Sequence, residues 1–170
     1  MTICVLVDVE ARGKSPVNGT MTEFGAVALN ASMTAIQSSF HGKLIEAIPD
    51  PSNPAIPFIT PDAKRYDSQK IADEFVAWLN SLDDRVIFVS DNPAYDYMWI
   101  AGFFDAHNMA NPFGHSARRI GDFAAGLSSS WGNTSKWKNL RDTKHTHHPV
   151  DDAMGNAESL IKLIALSKEK

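Results

Sequence analysis

The sequence predicts an α/β fold, a five-stranded mixed sheet that opens with an antiparallel meander and carries helices on both faces. Three observations predict it. Residues 3–7, Ile-Cys-Val-Leu-Val, are a continuous apolar and largely β-branched run, the pattern of a strand buried on both faces. Residues 22–29 and 34–40 read as two more strands around a tight turn at Asn30-Ala31-Ser32. From residue 69 onward helical and strand patterns alternate, as in layered α/β domains.

The first strand ends in Asp8-Val9-Glu10. Side chains two apart on a strand point to the same face, so these two carboxylates project together. They repel each other, and a divalent cation would remove the repulsion because hard cations take carboxylate oxygens. The plainer reading is a solvated strand end where two acids fall by chance. Residues 11–19 have the Gly, Pro, Ser and Asn of a loop. In the second strand Phe24, Ala26 and Ala28 share one face, and Gly25, Val27 and Leu29 the other.

Residues 42–65 hold five of the nine prolines and read as a long irregular loop, because proline removes backbone donors. Such a loop either borders a substrate groove or wraps the core. Ile71, Phe75, Trp78, Leu79 and Leu82 follow helical spacing over 69–82. Residues 85–90 are a second short buried strand. Pro93 then suits the first position of a helix running to about residue 107, with Tyr95, Trp99, Ile100, Phe103 and Phe104 packed inward. Residues 117–123 read as a last short strand, and 124–146 show little periodicity. Pro149 opens a final helix to about residue 167 that buries Ala153, Ala157, Leu160, Ile161 and Ile164.

A chain of 170 residues with 44% hydrophobic content suits one domain, 1–170, with a proper core. No apolar run approaches the roughly 20 residues of a membrane span, and the N-terminus lacks the basic start of a signal peptide. The single Cys4 makes no internal disulfide, which fits a reducing compartment such as the cytoplasm. Net charge is −4, so a nucleic-acid partner needs a local basic patch rather than an overall excess.

Two further acids sit where helices begin. Asp96 falls in the first turn after the strand at 85–90, and ligand sites in open α/β sheets lie at the carboxyl ends of strands. Asp152 falls in the first turn of the last helix, five residues after His147, and histidine is the residue type best suited to a general base. Taken alone, each acid also reads as one favoured by a helix dipole. His145, His147 and His148 are alternatively zinc ligands or a surface cluster; zinc wants three or four converging donors, while Cys4 lies in the core and His41, His107 and His115 are scattered in sequence. Between residues 118 and 144, Arg118, Arg119, Lys136, Lys138, Arg141 and Lys144 face only two acids, with Trp131 and Trp137 interleaved. Basic groups track phosphates and aromatics stack bases, although the same residues also fit buried tryptophans among solvated lysines.

The order of these acids resembles the DEDDh exonucleases of the RNase H-like superfamily. Asp8-Val9-Glu10-Ala11-Arg12-Gly13 matches the first motif, Asp-x-Glu-x-x-Gly, and Glu23-Phe24-Gly25-Ala26-Val27 is similar to the family's second strand. Asn92-Pro93-Ala94-Tyr95-Asp96 resembles the second motif, and His147 through Asp152-Ala153 the third, His-x4-Asp-Ala. Departures are the proline-rich segment and Asp91, where many relatives carry a histidine. The resemblance implies a three-layer RNase H-like fold and a 3′–5′ exonuclease acting on RNA or DNA, single-stranded or with a 3′ overhang, releasing nucleoside 5′-monophosphates. It implies two ions, Mg²⁺ or Mn²⁺, held by Asp8, Glu10, Asp96 and Asp152, with His147 as base. Arg12, Asn92, Trp137, Lys138 and Arg141 are the candidate substrate contacts. The competing readings are a catalytically silent nucleic-acid-binding module and a small-nucleotide phosphoesterase. Apolar helix faces leave room for a homodimer.

Overall fold

In the computed structural model, which describes residues 2–169, β1 (Thr2–Arg12) is the middle strand of a five-stranded sheet. Val5, Leu6 and Val7 are fully buried because both faces of the strand are covered. β2 (Thr20–Leu29) pairs antiparallel with β1, and β3 (Ile36–Lys43) antiparallel with β2. β6 (Arg85–Ser90) and the three-residue β7 (Ala117–Arg119) complete the order β3-β2-β1-β6-β7, both parallel to their neighbours. The mixed sheet with its antiparallel opening is therefore as the pattern predicts.

Alternation along β1 separates two cores. Ile3, Val5, Val7 and Val9 face α1 (Ser68–Asn80) and α2 (Pro93–Ala106) through Phe75, Leu79, Trp99, Ile100, Phe103 and Phe104. Phe24, Phe75 and Phe104 are fully buried, and Phe75 stands 4.8 Å from Phe24 and 5.8 Å from Phe104 between ring centroids. Each such ring contributes roughly 1.5–3 kcal/mol by leaving water. Cys4 and Leu6 face the other way, onto α3 (Ile120–Leu127) and α4 (Pro149–Ser167). Asp8 and Glu10 continue that second row, so they point toward the face that α4 covers.

Two expectations need correction. The proline-rich segment is not irregular throughout. It folds into a two-stranded hairpin, β4 (Ile48–Asp50) and β5 (Asn53–Phe58), closed by Ser52, whose amide and hydroxyl both donate to Asp50 Oδ1. A two-stranded ribbon has only edges, and edges tolerate residues that cannot donate. The stretch at 117–123 is a strand only to Arg119. From Ile120 onward Ile120, Ala124 and Ala125 bury one side at helical spacing, and the chain turns into α3. A short 3₁₀ helix (Lys136–Leu140) then leads toward α4. No helix among the described residues is long and apolar enough to cross a membrane.

Candidate active site

Three elements bring four acids together. Parallel pairing sets the ends of β1 and β6 side by side, so α2, leaving β6, begins next to Asp8. Tyr95 in its first turn donates to the Ala11 carbonyl at 3.3 Å, which ties α2 to the end of β1. From the same turn Asp96 is buried. α4 arrives across the opposite face. Its start rests on β2 at Gly25, where a Cβ would come within 2.3 Å of the Pro149 backbone, so only glycine lets the helix approach this closely. That approach delivers Asp152, itself 1% exposed. One ligand oxygen each from Asp8, Glu10 and Asp152 lie within 4.8 Å of one another. β1 and β2 slip register after Glu10, and the buried Thr22 hydroxyl donates to the Glu10 carbonyl at 2.9 Å, which holds the strand where the bulge re-aims it.

Crowded carboxylates away from water resist ionisation. Burial raises Asp8 well above the usual carboxylate range, and the charges of Asp96, Asp152 and Glu10 add to it. Glu10 is pushed up to about 8, by burial first and then by Asp152 and Glu23. Asp96 is pushed up to about 7, by burial and the charge of Asp91. Asp96 Oδ2 and Asp152 Oδ2 are buried with no hydrogen-bond donor. An all-oxygen set with unpaired inward lone pairs is what a hard divalent cation takes.

The loop before α4 supplies histidines. His147 is exposed with φ +60°, a left-handed conformation uncommon outside glycine, and it lines a cleft of about 210 Å³ with Glu10, Thr146 and hairpin residues Pro49, Pro54 and Pro57. Backbone strain of this kind clusters at functional sites. The Thr146 amide donates to Asp152 Oδ1 at 3.0 Å, locking the acid to the loop.

No family model matches the sequence. The 3′–5′ DNA exonuclease Cap18 of Escherichia coli is 31% identical over 180 residues, spanning 99% of this chain and 94% of the relative. The chain belongs to the DEDDh 3′–5′ exonucleases. The nuclease domain of 3′hExo, a DEDDh family member solved with rAMP, superposes with a TM-score of 0.70 at 14% identity, over 96% of this chain and 92% of that one. Cell-death related nuclease 4 gives 0.71 at 14% identity, over 96% of this chain and 64% of its own. These likenesses support the RNase H-like architecture, and Asp8, Glu10 and Asp152 are placed where they could hold a divalent metal ion.

The other candidates fare unevenly in this exonuclease. Arg12 pairs with Asp50 at 3.4 Å and lies 5.4 Å above the Phe58 ring, so it braces the hairpin. Asn92 precedes α2, exposed and without a side-chain cap bond. Lys138 pairs with Asp91 at 2.7 Å. Arg141 donates to Asn156 and covers the Trp137 ring. Trp137 is corrected outright as a stacking platform. It is 4% exposed within the second core, its indole N–H donating to the Thr134 carbonyl, so it offers no face to a base. The three neighbouring histidines also fail to converge as one zinc set: His145 and His147 gather with Asp152, whereas His148 turns to Glu23 and His41.

Three contacts at the site are not fixed by the sequence. His145 Nδ1 lies 2.7 Å from Asp152 Oδ2, at ion-pair distance but outside hydrogen-bond geometry. Glu23 stands directly across from Glu10 in the β1–β2 register. The proline-rich segment, as a hairpin, walls the cleft, in line with the groove-bordering alternative of the sequence reading. The His-x-His spacing at 145 and 147 was a visible signal; the other two depend on strand register and on a ribbon the prolines disguised.

Proposed function

We propose that this exonuclease shortens DNA from its 3′ end, with Asp8, Glu10, Asp96 and Asp152 holding two ions, Mg²⁺ or Mn²⁺, and His147 as general base. The gathering of Asp8, Glu10 and Asp152 oxygens within 4.8 Å, beside the buried Asp96 with its donor-free Oδ2, is the observation that carries this. DNA is favoured because the 31%-identical relative, matched along nearly its whole length, is a DNA exonuclease. Such ions supply Lewis-acid charge that activates water and stabilises the leaving oxygen.

The protein's own groups do the rest. β1 presents Asp8 and Glu10 from a stretch paired with β2 and continuing the one held by β6, so their positions change little on binding. The Thr146 amide orients Asp152. His147, exposed at the rim, accepts the proton of the attacking water and returns it to solvent. The cleft between the hairpin and His147 accommodates the terminal nucleotide, with the proline wall limiting what enters beside it. Chain 1–170 acts as a single catalytic domain.

The test offers 5′-labelled DNA and RNA, single-stranded and with 3′ overhangs, with Mg²⁺ or Mn²⁺. The expected outcome is a ladder shortening from the 3′ end on DNA. His147→Ala reduces its rate by about 10²–10⁴-fold, the ordinary contribution of a general base. A ladder on RNA alone overturns the substrate assignment. Cleavage of dinucleotides that stalls on long strands would make the enzyme a small-nucleotide phosphoesterase.

A further inference from the structure

Beside the carboxylate centre lies a group of side chains of different chemistry. Glu23 on β2, His41 on β3 and His148 at the start of α4 each offer a ligand atom, and the three lie within 4.8 Å of one another. His41 Nε2 is 2.7 Å from Glu23 Oε2, and the His41 and His148 rings meet at 5.0 Å with an interplanar angle of 62°. We propose that Glu23, His41 and His148 form a second cation site, one for Zn²⁺ or a similar transition-metal ion, distinct from the all-oxygen centre.

The fold explains why they meet. Gly25 pairs with His41 across β2 and β3, and Glu23 is two residues before Gly25, so Glu23 and His41 share the face that α4 covers. Without a side chain at Gly25, α4 begins directly on the sheet, and its capping residue, His148, lands beside His41. The three residues come from elements distant in sequence. Their meeting is a product of the tertiary fold rather than of local sequence.

The donor set selects the ion. Two imidazole nitrogens and one carboxylate are the set that zinc takes with a fourth position left to water. Mg²⁺ and Ca²⁺ prefer oxygen, so the two centres divide cations by hardness. Tetrahedral zinc, with bonds of about 2.0–2.2 Å, spaces its ligand atoms roughly 3.4 Å apart. Donors already within 4.8 Å reach that by small side-chain rotations. All three remain open to solvent, at 34% for the His41 side chain, 21% for Glu23 and 47% for His148, so an ion can enter. Asp151 Oδ1 stands 3.8 Å from His148 Nδ1, within reach of orienting the ring, as acids behind metal-bound histidines do.

The consequence is mechanical. His148 adjoins His147 and begins the helix that carries Asp152. An ion on Glu23, His41 and His148 clamps β2 and β3 to that junction and fixes the loop bearing the proposed base. The neighbouring trio of His145, His147 and Asp152 is the rival nitrogen-bearing group and must be separated from it.

Co²⁺ is the probe, added to the full chain in excess Mg²⁺ that fills the oxygen centre. The expected result is the intense visible absorption of low-coordinate Co²⁺, saturating at one equivalent and displaced by Zn²⁺. It persists in Asp8→Asn and His145→Ala. It is lost in His41→Ala and in His148→Ala, with circular dichroism confirming that both variants fold, and His148→Gln repeats the loss with a side chain of similar reach. Zn²⁺ raises the melting temperature of the wild type, but not of His148→Ala, in the same Mg²⁺ buffer. Absence of the band in the wild type, its survival in both histidine variants, or its loss in His145→Ala overturns the proposal. Failure of DNA shortening leaves this outcome unaffected, because the readout is spectroscopic.

Discussion

The two halves of the proposed catalytic centre are built in opposite ways. Asp8 and Glu10 sit on a strand hydrogen-bonded to β2 on one side, with Asp8 following the stretch that pairs with β6 on the other. His145, Thr146 and His147 sit on an exposed loop held by side-chain bonds alone: Thr146 to Asp151 and Asp152, and Asp142 and Thr143 to Glu158. The strand half stores electrostatic stress, because its acids are forced together by a scaffold that cannot relax. The loop half stores conformational stress, in the left-handed backbone of His147. A rigid site for charge and an adjustable site for the proposed proton acceptor are thus separated along the chain and joined at Asp152.

The strand half breaks most completely. Asp8→Asn keeps the shape and removes the charge that Glu10, Asp96 and Asp152 all oppose. Activity is expected to fall to background. In EDTA at pH 8 the same variant is expected to melt higher than the wild type, because a repulsion has gone. A gel assay and a thermal melt on one preparation check both. A variant that loses activity and melts lower would show that Asp8 stabilises the metal-free fold, contrary to the stress assigned to this half.

A pH series sharpens the same contrast without mutation. Glu10 rises from 4.5 to about 8 on folding and Asp96 from 3.8 to about 7. Raised acids bind more protons folded than unfolded, so their contribution to stability is complete below the unfolded values and is lost as pH climbs through about 7 to 8. In EDTA the melting temperature is expected to fall from pH 5 to pH 8.5. Saturating Mg²⁺ neutralises the acids and flattens that slope. A slope that Mg²⁺ leaves unchanged would locate the stress elsewhere than in these acids.

This difference also governs what could be read from sequence. Asp8 and Glu10 were legible because strand parity fixes their direction from two positions alone. Asp96 and Asp152 were legible as first-turn acids because Pro93 and Pro149 mark those helix starts. Trp137 misled, since a tryptophan among lysines looks the same whether its ring faces solvent or the core. The partnership of His41 with His148 was invisible, because it rests on the register of β2 with β3 and on the space above Gly25. The hairpin was hidden by its prolines, which signal loop more strongly than they forbid a two-stranded ribbon.

The loop half can be loosened without touching a reacting group. Glu158, on α4, accepts from the Asp142 amide at 2.8 Å, the Thr143 amide at 2.7 Å and the Thr143 hydroxyl at 2.8 Å. It is the anchor from which the chain runs to His145, Thr146 and His147. Hydrogen bonds to a charged group contribute about 1.5–3 kcal/mol each, less where solvent competes. Glu158→Ala is expected to lower stability by about 1–3 kcal/mol in a denaturant titration, since the freed amides are partly recovered by water. Because the loop then samples more arrangements, kcat should drop by a few fold to tenfold, while the Mg²⁺ concentration needed for half-maximal rate stays put. That split is the decisive reading. A metal requirement that rises with the fall in kcat would mean that the anchor acts through Asp152, and that the two halves of the site are one mechanical unit.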